Sequence, residues 1–477
     1  MRAFVLITFT ALSSLALASP ALCESGKPAD RPNIVLLLAD DLGWTGLSCF
    51  GSDFYETPHL DKLAENGVKF TNAYSACTVC SPTRASIMTG MYPARLRLTD
   101  FIAGQNRPFA KMSIPDWTKR LETRHDTIAE ALKTVGYRNA HIGKWHLNGR
   151  GGDAKVTRPT DHGFDVSYGK PAGTKGYFLK QKTSESGSNY LTDDLTDKAC
   201  RFIDESKSDP FFLYFAYNVP HTPIQGRADL VKYFEKKVDK SAIHRNPKYA
   251  AMVASLDESV GRILKQLKMN NLTEKTIIVF TSDNGGLTQR FGKHDGFTEN
   301  LPLRRGKGSA YEGGVRVPTI VQWPGVTKAG QVCDEPIMTT DYFPTFVKIA
   351  GAPPKSNSRV DIDGRSIVPL LKDVTAKLDR NLYWHYPHYH AGGDGPYSAV
   401  RSGNYRLIEF HEDNSTRLYD LATDIGEQTD LSIKLPAKTA ELRSDLQRWR
   451  KSIAAQMPTK NPNYDPARGV HVQRKPK

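Results

Sequence analysis

The sequence predicts an α/β protein: a large, mostly parallel central sheet flanked by helices, followed by a small C-terminal α+β domain. Three observations carry that reading. Short apolar runs, Asn33 to Leu38, Phe211 to Tyr217 and Thr276 to Phe280, together with the strand-like stretch Tyr137 to Ile142, alternate with amphipathic helical stretches, the pattern of strands buried on both faces. Each run ends in a polar, mostly ionisable cluster, at the edge where open α/β sheets gather their ligands. From about Asn381 the pattern shifts to aromatic strands separated by turns. With 477 residues and 39% hydrophobic content, the chain can bury a large core.

In chain order, Arg2, the apolar run Ala3 to Leu17 and the small residues around Ala18 and Ala21 read as a secretory signal over 1–23. The mature protein is therefore expected outside the cytoplasm, periplasmic or secreted. Cys23 fits a lipoprotein anchor poorly because Leu22 precedes it, and no later segment reaches membrane-spanning length. The remaining chain divides into a large domain over 30–375 and a small one over 376–477.

The first strand delivers Asp40, Asp41 and Gly43. Adjacent carboxylates at a buried strand end repel unless a cation or strong donors lie between them. Thr57 to Gly67 reads as a helix with Thr57 as cap, Pro58 at its first position and Gly67 as stop. Cys80 to Gly90 reads as another, with Ser81 as cap, Pro82 at the first position and Gly90 as stop. Cys80 then lies just ahead of a helix N-terminus, which favours anions and lowers a thiol pKa, and Arg84 adds a charge one turn in.

Thr127 to Gly136 is a helix leading into the second strand, which delivers Lys144 and His146. Residues 150–200 are rich in Gly, Lys and Thr and read as an insertion of loops and short elements. A helix follows from Asp197 to Ser206. The third strand leads to His221 on a proline-stiffened loop, Pro220-His221-Thr222-Pro223. The long helix Tyr249 to Leu267 precedes the fourth strand, which delivers Asp283 and Asn284. A glycine-rich basic loop, Leu303 to Gly308, with Tyr311 to Pro318 behind it, carries Lys307 towards the same edge and enters a strand at Thr319 to Gln322. In the small domain, the three histidines of Trp384 to His390 fit a strand edge or a substrate wall better than a metal box. Leu418-Tyr419-Asp420-Leu421 and a helix over Ala437 to Met457 close the chain.

The net charge of +14 suits a polyanionic partner. Nucleic acid is not favoured, because the cations are spread out and no basic run interleaved with aromatics dominates; sulfated glycans meet the charge equally well. Cys49, Cys77, Cys200 and Cys333 allow two bridges in an oxidising compartment without fixing any pairing. Cys77 and Cys80 also spell C-x-x-C, but no thioredoxin-like context surrounds them. Three carboxylates and an amide, Asp40, Asp41, Asp283 and Asn284, make a hard-cation set of the calcium or magnesium type. No Cys/His cluster has zinc spacing. The neighbouring cations then suit an oxyanion.

Cys80-Ser81-Pro82-Thr83-Arg84 followed by Thr89-Gly90 resembles the signature of the type I sulfatases. The blocks around Asp40, Lys144, His221, Asp283, Lys307 and Leu418 are similar to that family's in the same order. The resemblance implies an alkaline-phosphatase-like α/β sandwich, and conversion of Cys80 to formylglycine (3-oxoalanine) by a maturing enzyme. It implies calcium held by Asp40, Asp41, Asp283, Asn284 and an oxygen of modified Cys80. Arg84 and Lys144 would steady the formylglycine hydrate and His146 would take its proton. His221 and Lys307 would hold the sulfate and protonate the departing alcohol. One hydroxyl of the hydrate would attack sulfur and the other would expel sulfate. The exported, basic chain, the Trp384 to His390 segment and the 150–200 insertion favour a sulfated carbohydrate, of galactose or N-acetylgalactosamine type, as substrate. The competing readings are a phosphomonoester or phosphonate hydrolase on the same scaffold and a non-catalytic binder of sulfated glycans.

Overall fold

The computed structural model describes Met1 and residues 31–149, 156–169, 176–181, 184–185, 187–289, 296–352 and 362–468. The expected export signal beyond Met1, with Cys23, parts of the 150–200 insertion and residues 469–477 of the locally basic stretch Arg468 to Lys477 lie outside the described residues.

An eight-stranded sheet forms from Asn33–Ala39 (β1), Val68–Phe70 (β2), Arg138–Gly143 (β3), Val166–Tyr168 (β4), Phe211–Ala216 (β5), Thr276–Ser282 (β6), Thr319–Gln322 (β7) and Gln331–Cys333 (β8). Their spatial order is β8-β2-β7-β6-β1-β5-β3-β4. Only β7 runs against its neighbours; β6, β1, β5 and β3 at the centre are mutually parallel. Every residue of β1, β5 and β6 is buried, which is why these strands read as unbroken apolar runs rather than alternating ones.

Two cores sit on opposite faces. Val35, Leu37, Leu213, Phe215 and Phe280 pack with the helices Pro58–Glu65 (α1), Leu191–Glu205 (α4) and Pro247–Met269 (α5). Ile34, Leu36, Phe212, Tyr214 and Val279 pack with Cys80–Thr89 (α2), Ile128–Lys133 (α3) and Tyr342–Ala350 (α6). The expected α/β sandwich is thus observed as three layers, and a third core is shared between the C-terminal sheet and large-domain residues such as Tyr74, Val79, Tyr92 and Val315. That sheet is antiparallel and four-stranded: Leu382–Tyr386 (β9), Tyr397–Ser402 (β10), Tyr405–Phe410 (β11) and Thr416–Asp420 (β12), covered by the helix Pro436–Ser452 (α7).

A buried ionic contact joins this sheet to the loop behind Lys307. Fully buried Arg406 lies 2.8 Å from Glu312 and 3.4 Å from Glu427, and its Nη2 donates to the Ala310 carbonyl at 2.7 Å.

Two local expectations are corrected. Ser81 is not a cap: α2 begins at Cys80, with extended Val79 preceding it, so the cysteine occupies the first helical position. Helix α4 begins at Leu191 rather than Asp197, with Asp193 and Asp194 in its first turn, where carboxylates favour the helix N-terminus. The described cysteines, Cys49, Cys77, Cys80, Cys200 and Cys333, are all free thiols, so neither bridge allowed by the count is present among them.

Candidate active site

The four central strands end side by side. Ala39 pairs with Ser282, Leu38 with Ala216, and Ala216 with Gly143. The clusters that follow them, 40–41, 283–284, 218–221 and 144–146, are therefore brought to one edge. Gly143 is at φ 102° and a Cβ there would lie 1.9 Å from the Ala216 carbonyl oxygen, so only glycine lets β3 turn so close to β5.

Cys80 is enclosed by this ring. Its Sγ lies 3.6 Å from Asp40 Oδ1 and 3.9 Å from Asp41 Oδ1, and 3.6 Å from both Lys144 Nζ and Lys307 Nζ. Lys144 holds both Asp40 oxygens at 2.8 and 2.7 Å; Lys307 holds both Asp41 oxygens at 2.7 Å. Arg84 reaches Asp283 Oδ2 through Nε at 2.9 Å and Nη2 at 2.7 Å, and the Lys144 carbonyl at 2.6 Å. Three buried carboxylates thus face three buried cations.

Burial is the largest single effect on Asp41 and opposes its ionisation, but Lys307, His221 and Lys144 together outweigh it and the carboxyl titrates well below the ordinary range. Burial also opposes charge on the two lysines, yet Asp40 raises Lys144 and Asp41 raises Lys307 above the ordinary value. The expectation of an acidified thiol fails: burial, followed by Asp283, pushes Cys80 upward, overriding the helix N-terminus.

Both histidines have a settled tautomer. His146 Nε2 lies 2.5 Å from the Ile102 carbonyl, so it carries the hydrogen, and the buried Nδ1 is a lone pair with no partner among the described residues. His221 Nδ1 donates to the Thr222 carbonyl at 2.7 Å, leaving Nε2 3.6 Å from Asp41 Oδ2. Burial, with Lys144 next for His146, holds that imidazole neutral; burial brings His221 down to about 3.

The residues fit a hard cation. Ligand atoms of Asp40, Asp41, Cys80 and His221 lie within 4.8 Å of one another. Asn284 donates from Nδ2 to Asp41 Oδ1 at 2.8 Å, and its buried Oδ1 has no partner among the described residues, which a cation would satisfy. Asp283, expected as a ligand, is not in that group: Arg84 holds its Oδ2 and its Oδ1 accepts from the Asp41 amide at 3.1 Å. His221, not among the expected ligands, joins the group; the donors are otherwise mostly oxygens, as calcium or magnesium requires.

Several positioning groups had no sequence signal. Tyr249 donates to the Asp41 carbonyl at 3.0 Å, bracing a residue at φ 66°. Tyr177, in the insertion, donates to the His221 carbonyl at 2.7 Å. Asp100 Oδ1 accepts from the Phe101 amide at 2.9 Å and the Tyr386 hydroxyl at 2.8 Å, tying the loop that holds His146 to the C-terminal sheet. Burial raises the Asp100 carboxyl from an ordinary 3.8 to about 7. Its stabilising contribution is complete below pH 3.8 and is lost as pH rises towards 7. Asp100→Asn, neutral throughout, should therefore gain stability relative to wild type between pH 5 and pH 8. Thermal melts at the two pH values check this, and a pH-independent difference would contradict it.

The family model described as Sulfatase matches residues 32–352, and that described as N-sulphoglucosamine sulphohydrolase, C-terminal, matches 306–454. A "Sulfatase" of Formosa agariphila is 33% identical over 88% of this chain and 89% of its own. The N-acetylgalactosamine-6-sulfatase of Mus musculus is 32% identical over 86% of this chain and 78% of its own. Among solved structures, Ps i-CgsB in complex with k-i-k-neocarrahexaose superposes with a TM-score of 0.74 at 28% identity, covering 93% of this chain and 95% of that one.

Proposed function

Since this chain belongs to the sulfatase family and is a sulfuric ester hydrolase, we propose that it releases sulfate from sulfated carbohydrates using residue 80, matured to formylglycine, and bound calcium. The observation that carries the reading is the setting of Cys80. Its side chain sits between two ammonium groups and two carboxylates, yet burial keeps the thiol protonated. A thiolate nucleophile is therefore disfavoured, whereas a neutral hydrated aldehyde suits the site.

Hydrated formylglycine supplies two hydroxyls on one carbon, and calcium, held by Asp40, Asp41, Asp283, Asn284 and residue 80, supplies positive charge for the sulfuryl oxygens. Lys144 and Lys307 flank residue 80 and neutralise charge on either side of it. Arg84 keeps Asp283 and the Lys144 backbone in place. His146, its Nε2–H engaged by Ile102, offers the Nδ1 lone pair to a proton from residue 80. His221 and Lys307 hold the sulfate, and His221 Nε2 serves the departing alcohol oxygen. His221 is neutral at rest, so it acquires that proton only once the anionic ester is bound. Oligosaccharide in the Ps i-CgsB complex and N-acetylgalactosamine-6-sulfate activity in the name of the mouse relative support a sugar substrate. The Arg2 to Leu17 segment supports export, and the separate antiparallel sheet β9–β12 supports a domain division near residue 375.

The test pairs matched aryl sulfates and aryl phosphates with a panel of sulfated mono- and oligosaccharides, reading free sulfate or phosphate. Sulfate should be released preferentially, and chelation should lower the rate by about 10-fold or more, with calcium restoring it. Mass spectrometry of the peptide over 70–95 should show the mass lost when a thiol becomes an aldehyde. Faster phosphate release would replace this reading by the phosphohydrolase one. Binding of sulfated sugars without turnover by matured protein would replace it by the glycan-binding one.

A further inference from the structure

The C-terminal segment 388–394 closes over the Lys307 loop. Asp394 Oδ2 accepts from Ser309 Oγ at 2.8 Å and the Ala310 amide at 3.1 Å; its Oδ1 pairs with Arg305 at 2.8 Å. His390 is thereby seated on the residue after Lys307: a Cβ on Gly308, at φ 82°, would lie 2.0 Å from His390 Nδ1. The same Nδ1 accepts from the Gly392 amide at 3.2 Å, so Nε2 carries the hydrogen. That Nε2 has no partner among the described residues, and it is not among the sealed, unpartnered polar atoms. Phe101, from the loop that holds His146, meets the imidazole edge-on at 6.0 Å. Gln289 stands close by, its Cβ 3.4 Å from where a Gly392 Cβ would be.

We propose that His390 is a specificity-determining residue: its Nε2–H donates to a sugar oxygen neighbouring the sulfate ester, while Phe101 packs against the ring. This rests on the sulfatase reading of the site. A clamped, single-tautomer donor next to Lys307 can address only what lies beyond the sulfate group. An aryl sulfate offers no oxygen there, and a sugar does. Burial, and then Lys307, hold the imidazole neutral, down to about 3, so it remains a fixed donor at working pH. Thr99 and Asp100 brace the segment from below, through His388 Nε2 at 2.7 Å and the Tyr386 hydroxyl at 2.8 Å.

The test compares wild type, His390→Phe and His390→Gln on 4-nitrophenyl sulfate and on the best sugar sulfate of the panel. His390→Phe should lower kcat/KM for the sugar about 10- to 100-fold and for the aryl ester by no more than about threefold. His390→Gln, which keeps an amide N–H near the Nε2 position, should recover most of the loss. On wild type, sugar sulfates lacking the neighbouring hydroxyl should lose a comparable factor, and this arm stands even if a variant fails to fold. Equal losses on both substrates, no loss on either, or wild type that cleaves aryl but no sugar sulfates would each overturn the proposal. Wild type that releases sulfate from neither substrate would instead refute the sulfatase mechanism itself.

Discussion

Cys80→Ser will abolish turnover, by a factor of about 10⁴ or more, and leave the fold intact. The substitution exchanges one buried atom at the first position of α2 and removes no hydrogen bond on which the helix depends. A lone hydroxyl can attack sulfur, but the resulting sulfate ester has no second hydroxyl to expel the sulfate. The enzyme should therefore stop after one turnover with a sulfated residue 80. Sulfate release, a melting curve and the mass of the 70–95 peptide after incubation with substrate check the three parts of this expectation. A variant retaining about a hundredth of wild-type activity or more would refute a formylglycine mechanism.

Arg84→Met should be the most damaging single change to the charge balance. Arg84 is fully buried and makes two hydrogen bonds to Asp283 and one to the Lys144 carbonyl, with Asp40 at 3.4 Å. Without it, buried Asp40, Asp41 and Asp283 face only Lys144 and Lys307 among the neighbouring basic side chains. Removing one partner from a buried ion pair costs about 3–5 kcal/mol, and displacement of Asp283 should lower kcat by a further factor of about 10² or more. Arg84→Lys keeps the charge but loses the forked contact, so it should retain more stability than activity. Urea unfolding and sulfate release read the two effects separately. A loss below about 1 kcal/mol would mean that solvent, rather than the guanidinium, neutralises Asp283.

Strands β1, β5 and β6 were legible because burial on both faces favours apolar side chains along their length: Asn33 to Leu38, Phe211 to Tyr217 and Thr276 to Phe280 emerge nearly as read. Their polar ends were legible for the same reason, since a run of such strands brings those residues to one edge. The helix boundaries were less so. Local capping signals around Ser81 and Asp197 are worth about a kcal/mol each, which tertiary packing readily overrides. The lowered thiol pKa expected from the helix N-terminus was reversed by burial among carboxylates, a property of chain segments far apart in sequence.

By itself, then, the sequence determined the α/β class, the strand-end clusters and the Cys80 signature, because each is written in residues close together along the chain. Only the tertiary structure decided the strand order β6-β1-β5-β3, and hence that Asp40, Asp283, Lys144 and His221 face one another. It alone revealed the Ile102 carbonyl on His146, Tyr177 beneath His221, the Asp100 contact to Tyr386 and the placing of His390 over Gly308. Those contacts join segments tens to hundreds of residues apart, and no local periodicity or spacing encodes which of them will meet.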